Sequence, residues 1–220
     1  MLLSVFLLAS NWNDQRAVYN NLVAQLVNVE LEMCENINRL SESNDYMKSQ
    51  VQNLRVLRAF MAARDESISD DKIYSNIWSS IVIYAINMRE TATEAMQSSA
   101  LFVRTAAPEL IDALARWNDT VRRLRREQED CLSSRNTLVI PYILAHFPNG
   151  SMAQIVQAAA DFVAPSQYRL DRKALAGNWE FDNRIVARQV CVVQDLSSIE
   201  APSSHGHRII ESIALQRKSQ

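Results

Sequence analysis

Glycine is nearly missing from this chain: its 220 residues hold 3, at Gly150, Gly177 and Gly206. A dinucleotide fingerprint or a phosphate-cradling loop needs clustered glycines for close backbone approach, so both are excluded. A β-sandwich or barrel with many tight turns is disfavoured for the same reason. Cysteine is scarce and odd in number, with Cys34, Cys131 and Cys191 widely spaced. No disulfide framework or Cys-x-x-Cys knuckle can be read from that spacing, and reduced thiols in an intracellular setting are expected. An excess of one charge sign is also lacking. Lys and Arg number 23 against 25 Asp and Glu, a net charge of −2, so a generic polybasic binder of nucleic acid or membrane is excluded. A few arginines aligned on one track are not. The apolar run at the N-terminus, residues 1–10, lacks a basic flank and is shorter than the ~20 residues a membrane span needs. It reads as an apolar arm that packs on its own domain or on a neighbouring subunit.

Helical periodicity is what the sequence has in plenty. Hydrophobic residues make up 48% of the chain, enough for a substantial core. A helix start is expected at 11–13, followed by Val18, Leu22, Leu26, Val29, Met33, Ile37 and Leu40 at steps of three and four. The cap-type run Ser41-Glu42-Ser43-Asn44-Asp45 predicts a break, and Met47, Val51, Leu54, Leu57 and Met61 predict a second helix. A loop is expected over 64–71, where Asp65, Glu66, Asp70 and Asp71 gather. A third helix carries Ile73, Ile77, Trp78, Ile81, Tyr84 and Met88 and is expected to run past Glu94, although 81–84 has strand propensity. Pro108 fits the first turn of a fourth helix. Along it Leu110, Leu114, Trp117, Val121, Leu124, Gln128 and Cys131 alternate steps of four and three, a narrow seam suited to long neighbouring helices.

These segments predict an all-α protein: a four-helix bundle with additional C-terminal helices and extended arms. The expected organisation is an N-terminal apolar arm over 1–13, a bundle core over 14–135, a helical or extended region over 136–200 and a flexible tail over 201–220. In the third region Ser151 opens a capping box, Pro165 closes a short helix, and 185–193 is β-branched and reads as strand or helix. Pro202, Gly206 and the residues around them suggest a loose tail.

Signals for catalysis are poor. His146 sits in an apolar run and reads as a packed residue; His205 and His207 lie in the expected tail, where their spacing is weak evidence for a metal. No nucleophile elbow or His-Glu-x-x-His pattern occurs, and Glu30, Glu32 and Glu35 spread around their helix. No enzyme, metal or cofactor is expected. The arginines stand out instead. Arg116, Arg122, Arg123, Arg125 and Arg126 share the seam-bearing helix, and 100° steps put Arg116 and Arg123 near one face. Arginine grips phosphate bidentately, and a few per subunit suffice when copies are arrayed along a strand. The competing reading is a solvated face with Glu127, Glu129 and Asp130 as ion-pair partners. Asp119, three residues after Arg116, is expected to pair with it.

The order of these features resembles the coat proteins of rod-shaped plant RNA viruses, the tobamovirus-like group. Phe6-Leu7-Leu8-Ala9-Ser10-Asn11-Trp12-Asn13-Asp14 is similar to that family's entry into its first bundle helix. Ala115-Arg116-Trp117-Asn118-Asp119-Thr120 is similar to its Arg-apolar-Asp-Asp-Ala segment. Tyr168-Arg169-Leu170-Asp171 followed by Trp179 looks like its C-terminal Tyr…Arg…Phe-Glu…Trp block, with Leu170 standing for Phe and Asp171 for Glu. The resemblance implies a self-assembling capsid subunit stacked into a helical rod around single-stranded RNA, in the virion and the host cytoplasm, with no membrane partner. Arg116 would then be the RNA-proximal arginine and Asp119 its partner, with Arg122, Arg123 and Arg126 beside them. Interface carboxylates such as the 65–71 group would repel and drive disassembly. A helical adaptor or coiled-coil interaction protein without nucleic acid is the alternative.

Overall fold

The computed structural model describes residues 2–63, 67–146 and 172–219. The Ser151 capping box, Pro165 and the Tyr168–Asp171 block lie outside the described residues, as do Asp65 and Glu66. The chain is all-α, and among the described residues there is no strand. The helices are α1 (Leu2–Ala63), α2 (Asp70–Ile81), α3 (Thr91–Gln97), α4 (Ala100–Thr105), α5 (Pro108–Ser134), a π-turn (Arg135–Val139), α6 (Ile140–His146), α7 (Arg172–Leu175), α8 (Trp179–Ser198) and α9 (Glu200–Ser219).

Three sequence expectations change here. The break at 41–45 does not form, and α1 runs from Leu2 through the expected arm and the expected break to Ala63. Ser, Asn and Asp each cost a helix interior only a few tenths of a kcal/mol, and no Gly or Pro precedes Pro108 to stop it. The expected long helix over 73–94 is two helices, because α2 ends at Ile81 and Val82 turns extended, φ −68 and ψ 134. The expected tail is helix α9. Pro202 falls in its first turn, where a missing N–H costs nothing.

The chain forms two compact units, each drawing on α1 and α5: Met1–Ser41, Ile86–Arg123 and Glu200–Gln220 form one, and Glu42–Ala85 and Leu124–Ile199 the other. In the first, Leu22, Leu26, Val29 and Met33 of α1, Leu110, Leu114, Trp117 and Val121 of α5, and Ile209 and Ile213 of α9 are buried. The expected seam of α5 is therefore core. Gly206 explains how α9 closes on it: a Cβ there would meet Ile37 Cγ1 at 3.1 Å and Trp117 Cζ3 at 3.4 Å. Polar side chains fix the non-helical backbone. Asn36 Nδ2 donates to Arg89 O (2.7 Å) while Arg89 N–H donates to Asn36 Oδ1 (2.8 Å). Glu32 is buried and accepts from Ala92 N–H (2.7 Å) and Thr93 N–H (3.0 Å), serving the first turn of α3, whose own N-cap Glu90 makes no side-chain cap bond.

In the second unit Leu54, Leu57 and Phe60 of α1, Ile73 and Ile77 of α2, Leu124 and Cys131 of α5, and Phe181, Ile185 and Val192 of α8 are buried. The ambiguous segment 185–193 is thus helical. The last carbonyls of α2 are taken up by distant side chains. Gln50 Nε2 donates to Ser79 O and Val82 O, Arg135 Nη1 to Ile81 O (3.2 Å), and Arg188 to Ser80 O (3.2 Å) and Val82 O (2.8 Å). Those donors are what end α2 where periodicity alone would continue it. Gly177, at φ 79, makes the left-handed step into α8, and Asn178 caps that helix by accepting from Phe181 N–H at 3.0 Å.

Candidate functional site

The arginines of α5 do not act as the equal row that their spacing suggests. Arg116 is exposed and pairs with Asp112, one turn earlier, at 2.8 Å. Asp119 instead pairs with Arg122, at 2.6 Å. The expected Arg116–Asp119 pair is therefore replaced, and both bridges are local contacts on a solvated face, of the kind that contributes little to stability. Arg123 is exposed in the first unit, and Arg126 is exposed on the part of α5 that belongs to the second.

What the structure adds to the face is α9. Thr120 Oγ1 lies 3.0 Å from His205 Nδ1 and 2.7 Å from Arg116 O. A hydroxyl has one proton to give, and a backbone carbonyl can only accept, so Thr120 donates to Arg116 O and accepts from His205 Nδ1–H. That leaves Nε2 as the nitrogen that takes a second proton. The His205 imidazole is held below its ordinary value of 6.5, first by burial and then by the guanidinium groups of Arg208, Arg116 and Arg123. Three arginines from two helices thus concentrate positive potential around one half-buried imidazole. An anion near that imidazole would meet guanidinium donors from both helices.

Arg208 and His205 escape a reading of the sequence because Pro202 and Gly206 make their segment look unstructured. The steps of four and three through Ile209, Ile213 and Gln216 are the signal that would have found α9. His146 keeps a local bond, its Nδ1 lying 2.9 Å from Tyr142 O, and its ring stacks on Tyr142 with centroids 4.0 Å apart. Unlike the packed residue expected, it is exposed.

A second constellation lies in the other unit. Arg188 of α8 is 1% exposed, and besides its two carbonyl acceptors its Nη1 donates to Cys131 Sγ at 2.7 Å. Burial pushes its guanidinium down to about 10, against the pull of Asp195. It remains charged at neutral pH. Asp195 is pushed up to about 6 by burial, with Arg188 opposing and Glu127 adding to the rise. Cys131 and Cys191 are joined in a disulfide, Cα atoms 5.5 Å apart, and Cys34 is exposed and free. The expectation of three reduced thiols is corrected accordingly. The pairing was hidden because the two cysteines stand 60 residues apart, on α5 and α8. No helix among the described residues is long and apolar enough to cross a membrane. No protein-family model, no curated protein and no solved structure matches the chain.

Proposed function

We propose that this protein is a structural nucleoprotein subunit that assembles side by side into a helical polymer around single-stranded RNA. The observation that carries this reading is the contact of Thr120 with His205, which brings α9 and its Arg208 against the stretch of α5 that holds Arg116 and Arg123, on a chain whose net charge is only −2. A near-neutral chain with one basic track binds RNA weakly as a single copy and strongly as an array, because each added copy brings its contacts at high effective concentration. Arg122, exposed beside them on α5, extends the contact, and Asp119 tethers Arg122. The similarity of residues 6–14 and 115–120 to coat proteins of rod-shaped plant RNA viruses points the same way.

Copies need an apolar contact as well. Trp12, Tyr19, Val27 and Leu31 are exposed, and helical steps of 100° place them within one broad stripe of α1. That stripe supports lateral association, and by itself it equally supports a helical adaptor that binds a partner helix without nucleic acid. Mixing the full chain with single-stranded RNA separates the two. Large RNA-dependent polymers by sedimentation and electron microscopy, with the RNA protected from nuclease, are expected. A small fixed oligomer that leaves the RNA open to digestion would favour the adaptor.

The imidazole gives this binding a pH signature. With its folded value below 6.5, His205 stays neutral at pH 7 while three cations surround it. Phosphate beside those cations reverses the local potential and raises the value, so binding takes up a proton. RNA affinity is therefore expected to increase as pH falls from about 7.5 to 5.5, by at most about tenfold per pH unit for one proton. The free fold responds oppositely: its unfolded state protonates first, so stability declines as pH drops below 6.5. Fluorescence anisotropy across this range checks it, and His205→Ala should flatten the profile.

A further inference from the structure

We infer that Cys131, Cys191 and Asp195 form a redox-gated binding site for a divalent cation of the zinc class. The two sulfurs and a carboxylate oxygen lie within 4.8 Å of one another. Cys191 and Asp195 stand one turn apart on α8 and so share a face, while Cys131 is presented to them from α5. Cys131 and Asp195 are buried and Cys191 is half-buried, which leaves a path to solvent on one side. Thiolate and carboxylate together suit a borderline-soft ion that accepts four ligands, and exclude calcium and magnesium, which take oxygen alone. The fourth position falls to water.

Arg188 makes the charge balance. A dication, two thiolates, one carboxylate and one guanidinium sum to zero, whereas the same ligand set without the arginine would leave a buried negative charge. Its carbonyl partners Ser80 and Val82 hold the guanidinium in place, and its Nη1 already donates to Cys131 Sγ at 2.7 Å. Such an outer-shell donor orients a thiolate ligand and tunes it. The disulfide is the closed state, because a disulfide sulfur carries no charge for a metal. A phosphine with one water, or a dithiol, opens it: two electrons and two protons break the S–S bond into two thiols, and the phosphine leaves as its oxide, carrying the water oxygen, or the dithiol leaves as its disulfide. Metal entry then expels both thiol protons and leaves two metal–thiolate bonds.

Cobalt(II) is the probe for the test. The full chain, stripped of metal and reduced by a phosphine without oxygen, should take up one cobalt per chain. Binding should give a thiolate-to-cobalt band in the near ultraviolet and strong visible bands of a tetrahedral ion, both displaced by zinc. The oxidised chain should show neither. Cys34→Ser should bind as wild type, and Cys191→Ser, at the half-buried position, should lose the thiolate band while circular dichroism reports an intact helix content. Asp195→Asn should weaken binding by at least about tenfold, the least that losing even an outer-shell partner costs. A reduced, folded chain with no thiolate–cobalt band would overturn the site. So would a band that depends on Cys34 but not on Cys191, and unchanged affinity in Asp195→Asn would remove that ligand.

Discussion

Arg188→Met should destabilise the protein by about 3–5 kcal/mol, the cost typical of stripping one partner from a buried charged network. The side chain is 1% exposed and serves three acceptors from two other elements: Ser80 O and Val82 O at the C-terminal end of α2, and Cys131 Sγ on α5. Methionine fills much of the volume and restores none of the donors. Ser80 O is then buried without that donor, Val82 O keeps only Gln50 Nε2, and Asp195 loses the cation that opposes its desolvation. Urea unfolding at neutral pH is the measurement, with a lower midpoint at an unchanged slope. The variant also carries a pH signature. Asp195 titrates at about 6 in the fold against an ordinary 3.8, and without Arg188 its folded value rises further. A raised folded value means that the native state binds the proton, so this group's contribution to stability falls as pH climbs from about 4 through 6 and beyond. The deficit of Arg188→Met should therefore be smaller at pH 5 than at pH 7, and Asp195→Asn in the same chain should recover part of it. A loss under about 1 kcal/mol would mean that the network is not fully desolvated.

Removing the basic track should weaken RNA binding far more than its three substitutions weaken the fold. For the combined Arg116→Ala, Arg123→Ala and Arg208→Ala variant, affinity for a single-stranded RNA should fall roughly 100-fold at about 0.1 M salt. Each lost phosphate contact removes about 0.7 from the slope of log affinity against log salt, so the slope should shrink by about 2. All three side chains are exposed, and surface substitutions of this kind change stability by about 0.5 kcal/mol or less. The two effects are thus separable in one preparation. Arg55→Ala, an exposed arginine of the other unit, is the control and should leave the slope unchanged. Equal losses in the control and the triple variant would show that charge in general, and not this face, sets the affinity.

How much of this was legible in the sequence depended on distance along the chain. The α5 seam was readable because periodicity is local: Leu110, Leu114, Trp117 and Val121 follow their neighbours, and they are buried as the steps require. Arg116 and Arg123 were readable as one face by the same arithmetic. The end of α2 was not, because the groups that stop it are Gln50, Arg135 and Arg188, up to 108 residues away. Local composition misled where tertiary packing overrode it. Ser43 and Asn44 look like caps yet lie inside α1, and Pro202 and Gly206 look like breakers yet sit where α9 tolerates the first and needs the smallness of the second. The Arg116–Asp119 pairing failed for a subtler reason. Asp112 and Asp119 are both within reach of Arg116, and spacing does not decide between two local partners.

Photo-crosslinking locates the phosphate contact, which is expected on the α5–α9 face of the first unit. The full chain bound to a single-stranded RNA is irradiated, digested and sequenced by mass spectrometry for peptides that carry a nucleotide. Adducts within 116–123 and 205–208 are expected, suppressed as salt rises. Adducts confined to the second unit, or none on a chain that still retains RNA, would place the nucleic acid elsewhere and end the proposal.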